Sequence, residues 1–538
     1  MKKLLLFFFI LSVFNIIKMN ISIDNKKTCL IPLSDAYPNR YFYHTPFQYN
    51  RFDSTQQFLC KGNCTLRYQN NYDNNELASF LFNNPFIAKT NNSKAYNAGL
   101  LGIGFKDTYS ELFLAAKRNS FFIDCTVEVS RVNLPYYIHI GIPIQRTEHQ
   151  IIISEIITTD EQVIKGGFIA EYQPTLPANL KDWQNTPSSI IKPLPNIASY
   201  LSGKGIGDRQ DAIYGKVGQC PMTLWAIADL YIQLGYDGWQ YKKTNFGYYL
   251  RAIIPTSPTL KSTWNKYFFY PTIGNVNRFE WGIGINGNII LCDDDTINQT
   301  IYFDGYAGYL CPTDQMRPFD LNNGFFSRYG QVKLFDQQSL LYKNKAIWAV
   351  DVTTQIGSIG SCFKSELVLD YVYQYYQSFF NIGYSFKSQS QENISCNTQN
   401  TIPKIIDRYI YGYSPQQYIQ TPNPVSNTPD NWTCQLITPL SSMTHIASND
   451  ISIFDNTNQT IIGVPISQEN QLLKSSLNYN SGLMNLQILN IFFIGYSYEK
   501  LKSEYNTVIG IKGAISTTND THYTPPFYEI LILLELHY

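Results

Sequence analysis

The chain has 538 residues, with 41 basic and 41 acidic side chains, a formal charge of zero and only 15% charged residues. No Lys/Arg cluster follows a face or stripe, and this excludes nucleic acid as a partner on electrostatic grounds. The length suggests three domains or four, and 41 Tyr, 33 Phe and 7 Trp point to a β-rich core, because aromatic rings favour pleated surfaces.

In chain order, the opening MKKLLLFFFILSVFNIIKMN places Lys2 and Lys3 before an apolar run, Leu4 to Ile17, that Asn15 interrupts. The run is shorter than the roughly 20 residues of a spanning helix and reads as a signal peptide over residues 1–24. No later stretch is long and apolar enough for a spanning helix. The expectation is a secreted, extracellular protein with no membrane span beyond the signal region. The sequons at Asn63, Asn91, Asn298, Asn393, Asn431, Asn458 and Asn519 are candidate glycosylation sites, expected at the surface of a glycoprotein. Cys29, Cys60, Cys64, Cys125, Cys220, Cys292, Cys311, Cys362, Cys396 and Cys434 all follow the signal and are disulfide candidates of open connectivity.

Residues 25–172 read as a β-rich domain, with FFIDCTVEVSRV, PYYIHIGIPI and HQIIISEIITT as short successive strands. CKGNC, over 60–64, reads as a surface disulfide loop, and residues 173–200 as a Pro-rich linker. Residues 201–386 read as a mixed α+β domain. PMTLWAIADLYIQLGYDGW carries Leu224, Ile227, Leu230, Tyr231 and Leu234 at near-helical spacing, between Pro221 and Gly235. SELVLDYVYQYYQSFF, over 365–380, is a second candidate helix, and the intervening RFEWGIGINGNIILC reads as strand with a turn at Asn286-Gly287. Residues 387–430 read as a polar, Pro-rich linker and residues 431–538 as a C-terminal β domain. There, Ile509, Ile511, Gly513 and Ile515 share one face of a strand, as Tyr528, Ile530 and Ile532 do in the next. The expected fold is mainly β with a few helices, with β-sandwich-like N- and C-terminal blocks around the mixed block.

Few constellations carry chemistry. GQCPMTLWAI, over 218–227, resembles the run around the reactive cysteine of papain-like peptidases. It departs from the family at the nucleophile, because Leu224 precedes Trp225 and Cys220 matches a structural cysteine. VIGIKGAISTT and the final alternating strand resemble the H-type lectin pattern, which implies a β-sandwich. Glu280, Asp304 and Asp351 are carboxylates in aromatic, strand-like sequence and are the candidate catalytic residues of a glycosidase. Trp281, Tyr306 and Tyr309 beside them are candidate ligand-binding rings. Asp293, Asp295 and Asn298 could offer oxygens to Ca²⁺; no other cofactor is expected. Without recognisable catalytic spacing, the favoured reading is a secreted or cell-surface β-rich glycoprotein that binds carbohydrate or a matrix partner. A secreted glycosidase and a structural coat or matrix protein are the alternatives.

Overall fold

The computed structural model describes residues 58–71, 74, 77, 86–89, 109–131, 135–158, 197–205, 211–241, 243–258, 266–294, 296–322, 327–329, 331–335, 342–395, 433–435, 451–455, 460–462, 477–484, 486–501, 506–517 and 527–537. Strands dominate, and twelve of them close into one barrel. These are β1 (Phe58–Asn71), β2 (Tyr109–Arg131), β3 (Tyr136–Thr158), β4 (Leu230–Tyr241), β5 (Thr244–Ile254) and β6 (Glu280–Asp293). They continue as β7 (Ile297–Leu310), β8 (Cys362–Tyr375), β9 (Ser378–Gln389), β10 (Gln487–Leu501), β11 (Asn506–Thr517) and β12 (Phe527–His537).

Each strand pairs antiparallel with its neighbours in sequence, and β12 returns to β1 in register from Lys61 opposite His537 to Asn71 opposite Phe527. Two short strands lie beside the barrel: Phe86–Lys89 on β2, and Met222–Ile227 on the middle of β3, from Ile144 to His149. Strands drawn from all three sequence blocks therefore enter one sheet. The expected β-sandwiches and mixed α+β block give way to a closed barrel.

The side-chain pattern explains the closure. Along β1 the inward residues Lys61, Asn63, Thr65, Arg67, Gln69 and Asn71 are all polar and all buried, while Leu66 and Tyr68 point out. On β6, Glu280, Asn286 and Asn288 are buried inward, whereas Trp281, Ile283 and Ile285 are exposed. Ile509, Ile511 and Ile515 of β11, and Ile530 and Ile532 of β12, are likewise exposed. A period of two was correctly expected, but the apolar face is the exterior of the barrel and not its core.

The two helices expected at 221–235 and 365–380 are strands. The first is Met222–Ile227 followed by β4, and the second is β8 turning into β9, with Tyr376 at φ 52° in the turn. A barrel strand carries aliphatic residues outside and, here, rings inside. Its apolar positions crowd together and imitate helical spacing.

Close inter-strand fit depends on glycine. Gly284 of β6 lies beneath the Tyr249 ring of β5, and Gly141 of β3 beneath that of Tyr231 on β4, so a Cβ at either position would land in the ring. Each tyrosine can thus lie flat on the inner wall.

The two rims differ. The connections 132–135, 242–243, 294–296, 376–377 and 502–505 are short and share one rim. The connections 72–108, 159–229, 255–279, 311–361, 390–486 and 518–526 share the other.

Gly284→Val is expected to destabilise the barrel by about 1–3 kcal/mol through overpacking. Adding Tyr249→Ala should recover part of that loss in urea unfolding, whereas additive effects would refute the ring-on-glycine contact.

Candidate functional site: the lumen and its long-connection rim

The lumen wall is charged and paired. Lys61 meets Glu535 near the short-turn rim. Arg67 lies 3.5 Å from Asp124 and 3.7 Å from Glu529, with its guanidinium 3.6 Å from the Phe122 ring centroid. Lys512 lies 3.8 Å from Asp370, which also accepts from Asn381. All these groups are buried and stand on facing or adjacent strands. Removing one partner would leave a charge desolvated, which costs far more than losing an exposed pair.

Toward the long-connection rim the wall converges on Glu280. Its carboxylate accepts from Tyr306 Oη at 2.8 Å and from Asn275 Nδ2 at 3.0 Å. Lys364 Nζ lies 3.2 Å away and Arg251 Nη2 3.8 Å, and the latter also faces Glu366 at 3.8 Å. The Arg251 guanidinium sits 3.6 Å above the Tyr306 ring, which stacks with Tyr249. Lys364 also donates to Asn275 Oδ1 at 2.6 Å, tying the wall to connection 255–279.

Above this lies a second node. Glu392 accepts from Arg278 Nη1 at 2.8 Å, from Arg317 Nη1 at 2.6 Å and from the Met484 backbone N–H at 3.0 Å. Arg317 donates onward to the Gly482 carbonyl at 2.9 Å, and Arg278 to those of Gly360 at 2.6 Å and Cys311 at 3.2 Å. One carboxylate thus joins connections 255–279, 311–361 and 390–486. A cavity of about 10 Å³ between the two nodes, lined by Asn275, Arg278, Arg317, Lys364, Gln389 and Glu392, has room for one water.

Further contacts knit the same rim. Arg328 pairs with Asp320 at 2.8 Å, Tyr329 Oη donates to the Gly215 carbonyl at 2.7 Å, and Trp348, Ala349 and Val350 are fully buried.

Burial alone would raise the Glu392 carboxyl, but Arg317 and Arg278 outweigh it and hold it below the ordinary carboxylate value. Asp351 shows the opposite balance: burial raises it, although the Tyr214 and Ile213 backbone N–H groups donate to it.

The sequence candidates fall in different places. Glu280 and Asp304 both face the lumen, but Asp304 lies opposite Asn286, six residues along β6 from Glu280. That is roughly 20 Å at ~3.4 Å per residue, well beyond the ~5–9.5 Å of a glycosidase pair. Asp304 instead accepts from Tyr249 Oη at 2.7 Å, and Asp351 is spent on two backbone donors outside the barrel wall. The glycosidase reading is therefore set aside.

Tyr306 points inward, whereas Trp281 and Tyr309 point outward with ring centroids 5.9 Å apart, so the three form no single sugar platform. Asp293 accepts from Asn298 Nδ2 at 3.2 Å at the short turn 294–296, and Asp295 lies outside the described residues. Among the described residues no cluster of three metal-ligating side chains occurs. The sequence reading did not single out Arg67, Arg251, Lys364, Arg278, Arg317, Glu392 or the Lys512–Asp370 pair. Their signal was charge at alternate positions opposite an aliphatic face, as in KGNCTLR over 61–67.

Asn63 is buried in the lumen, where Thr65 donates to it, and there it is out of reach of a glycan; Asn298 is half-buried and Asn393 exposed. Asn91, Asn431, Asn458 and Asn519, the side chains of Cys29, Cys396 and Cys434, and the signal region 1–24 lie outside the described residues. Cys60, Cys64, Cys125, Cys220, Cys292, Cys311 and Cys362 are thiols in this structure. Cys60 and Cys64 share one strand face, about 14 Å apart at ~3.4 Å per residue, so CKGNC is not a bridged loop.

No known protein family matches the chain, and no curated protein resembles it in sequence. Among solved structures it is similar to an outer membrane channel from Pseudomonas putida F1, at TM-score 0.35 and 6% identity over 90% of this chain and 98% of that one. It is also similar to a Pseudomonas aeruginosa FadL homologue, at TM-score 0.24 and 7% identity over 90% of each chain. A monoaromatic hydrocarbon channel, CymD, aligns at TM-score 0.24 and 7% identity over 90% and 88%. The resemblance is distant in both sequence and superposition.

The exterior corrects the reading of a secreted glycoprotein that binds carbohydrate or a matrix partner without a membrane span. Ile494 is 65% exposed, Ile283 58% and Ile511 53%, within a continuous aliphatic wall that water would not tolerate on a secreted protein.

Glu392→Ala is expected to cost about 3–5 kcal/mol, because two buried guanidiniums lose their counter-charge. Its depressed native value makes the clamp's contribution present above the unfolded carboxylate value of about 4.3. That contribution is lost as pH falls through the native value. Thermal unfolding of the wild type should therefore weaken in acid more than that of Glu392→Ala; equal acid sensitivity would remove the clamp from the account.

Proposed function

We propose that this chain is an outer-membrane-type β-barrel channel, with a polar lumen held closed at the long-connection rim. The observation that carries the proposal is the inversion of the barrel, apolar outside and charged inside, which suits lipid around it and water within. Its strands run from 11 to 23 residues, enough for the 9–11 residues of a tilted spanning strand.

Aromatic rows flank the aliphatic band, as interfacial girdles do. Toward the long-connection rim, Trp281, Tyr309 and Phe363 stand on consecutive strands with centroids 5.9 and 5.3 Å apart. Toward the short-turn rim, Tyr136, Tyr236 and Tyr248 do the same at 5.1 and 5.2 Å, and Phe380 meets Tyr496 at 5.0 Å. An even strand number, short turns at one rim and long connections at the other complete the outer-membrane pattern. Among the described residues no helix is long and apolar enough to cross a membrane; the strands do the crossing.

The lumen supports passage of water and small polar solutes. Among the described residues, Asn63 Nδ2, both polar side-chain atoms of Gln69, Asn288 Oδ1 and Ser385 Oγ are buried without a protein partner. Groups of this kind are satisfied by water, and a wall that carries them is wetted. The Glu280 and Glu392 nodes join the wall to the connections above it, and the rim opens where those nodes part.

Two measurements test the proposal. In planar bilayers the wild type is expected to conduct in rare, brief openings and Glu392→Ala in longer ones; a Glu392→Ala barrel that is folded yet never conducts would overturn the channel. In lipid vesicles Ile511→Arg should cost about 2–4 kcal/mol, as a cation at the bilayer midplane does. An exposed position facing water would change by no more than about 0.5 kcal/mol, and that result would sink the membrane reading.

A further inference from the structure

We propose that Cys64 and Cys125 form a cross-strand disulfide that pins β1 to β2 on the outer face of the barrel. The two residues stand directly opposite in the β1–β2 register, and their sulfur atoms are 3.8 Å apart. Directly opposed residues on antiparallel strands have Cα atoms about 4.5–5.5 Å apart, inside the window a disulfide spans. A small χ1 adjustment closes the remaining gap.

The alternatives for Cys64 fail on geometry. Cys60 lies on the same face of the same strand, four residues away and opposite Val129. The neighbour of Cys64 on its other side is Leu534 of β12, and that of Cys125 is Ile142 of β3. Among the described residues each sulfur therefore has one cysteine in reach.

The bond forms by two exchanges with a disulfide-bonded oxidant, either a protein or a small-molecule disulfide. One thiolate attacks the oxidant and expels its first sulfur as a thiolate. The second cysteine thiolate then attacks the mixed disulfide and expels the other sulfur. Cys64 and Cys125 lose two protons and two electrons together, and the oxidant leaves reduced, as a dithiol or as two thiols.

The surroundings fix when this happens. Val127, Ile142 and Leu534 around the pair are exposed apolar residues of the outer wall. On the membrane reading, lipid covers the pair once the barrel is inserted. Thiolates and aqueous oxidants are excluded there, so the bridge forms on the chain before insertion and is afterwards shielded from aqueous reductant. Its use at that stage is register. A slip of β1 by one residue against β2 would send Lys61 and Arg67 outward, away from Asp124, and Leu66 and Tyr68 inward. The bridge prevents that slip while connection 72–108 is still a long open loop.

The test uses the full chain produced through an oxidising compartment and folded into vesicles. Thiols are alkylated in denaturant without reductant, and the digest is read by mass spectrometry. The expected result is a linked peptide pair containing Cys64 and Cys125, two hydrogens lighter than the separate thiol peptides, with Cys60 alkylated. Cys125→Ser should leave Cys64 fully alkylated. Alkylation of both residues in the wild type, or a link from either to Cys60, would overturn the bridge. A water-soluble phosphine should cleave the link in denaturant but not in vesicles. Cleavage at equal rates in both, with the linked peptide otherwise present, would count against the lipid-facing wall and leave the bridge standing.

Discussion

Every backbone N–H and C=O of a sheet in lipid needs a partner within the sheet, because hydrocarbon offers none. The β12–β1 ladder meets that demand: it runs from Lys61–His537 to Asn71–Phe527 and leaves no edge on the barrel. The outer apolar wall, the charged interior and the difference between the rims all presuppose this closure. An open sheet with the same residues would expose two strand edges, those of β1 and β12, to the environment that its own isoleucines select.

Closure of twelve strands encloses more space than aliphatic side chains of one face would fill, and the chain fills it with charges placed in pairs. Lys61–Glu535 and Arg67–Asp124 join neighbouring strands along the inner wall, and Lys512–Asp370 reaches from β11 past β10 and β9 to β8. These pairs are weak as net stabilisers, because desolvation offsets most of the attraction. Their effect is on specificity: a strand displaced by one residue leaves a charge on the apolar outer face, and that penalty selects the register. Tyr249 over Gly284 and Tyr231 over Gly141 add a steric form of the same selection, since each ring fits only over a missing side chain.

Much of this was legible in the sequence, but with its sign reversed. The strands near 121–132, 486–498, 505–517 and 526–538 and their period of two were read from Ile509, Ile511 and Ile515 and their like. Alternation does not say which face meets the core; the identity of the other face does. On β1 that face reads Lys, Asn, Thr, Arg, Gln, Asn, which no water-soluble sandwich would bury. The misread helix at 221–235 has the same origin, because Tyr231 lies inside the wall while Leu234 lies outside it. Glu280 was found, but as a catalytic carboxylate; its partners Arg251 and Lys364 come from strands distant in sequence, and only the fold brings them together. Glu392 had no local signal at all, because Arg278 and Arg317 reach it from separate connections.

The two nodes at the long-connection rim differ in what they hold. Glu280 belongs to the wall, and its contacts with Arg251, Lys364 and Tyr306 are strand to strand, so any rearrangement of them strains the barrel itself. Glu392 belongs to no barrel strand, and its partners Arg278, Arg317 and Met484 sit on three connections that can move while every barrel ladder stays intact. Asn275 stands on the same connection as Arg278 and belongs to the lower node, donating to Glu280 and accepting from Lys364. An opening confined to the upper node therefore costs one buried ion cluster, whereas opening at the lower node costs the wall. A barrel that must stay closed around its ladder and still admit water would place its movable contacts at Glu392.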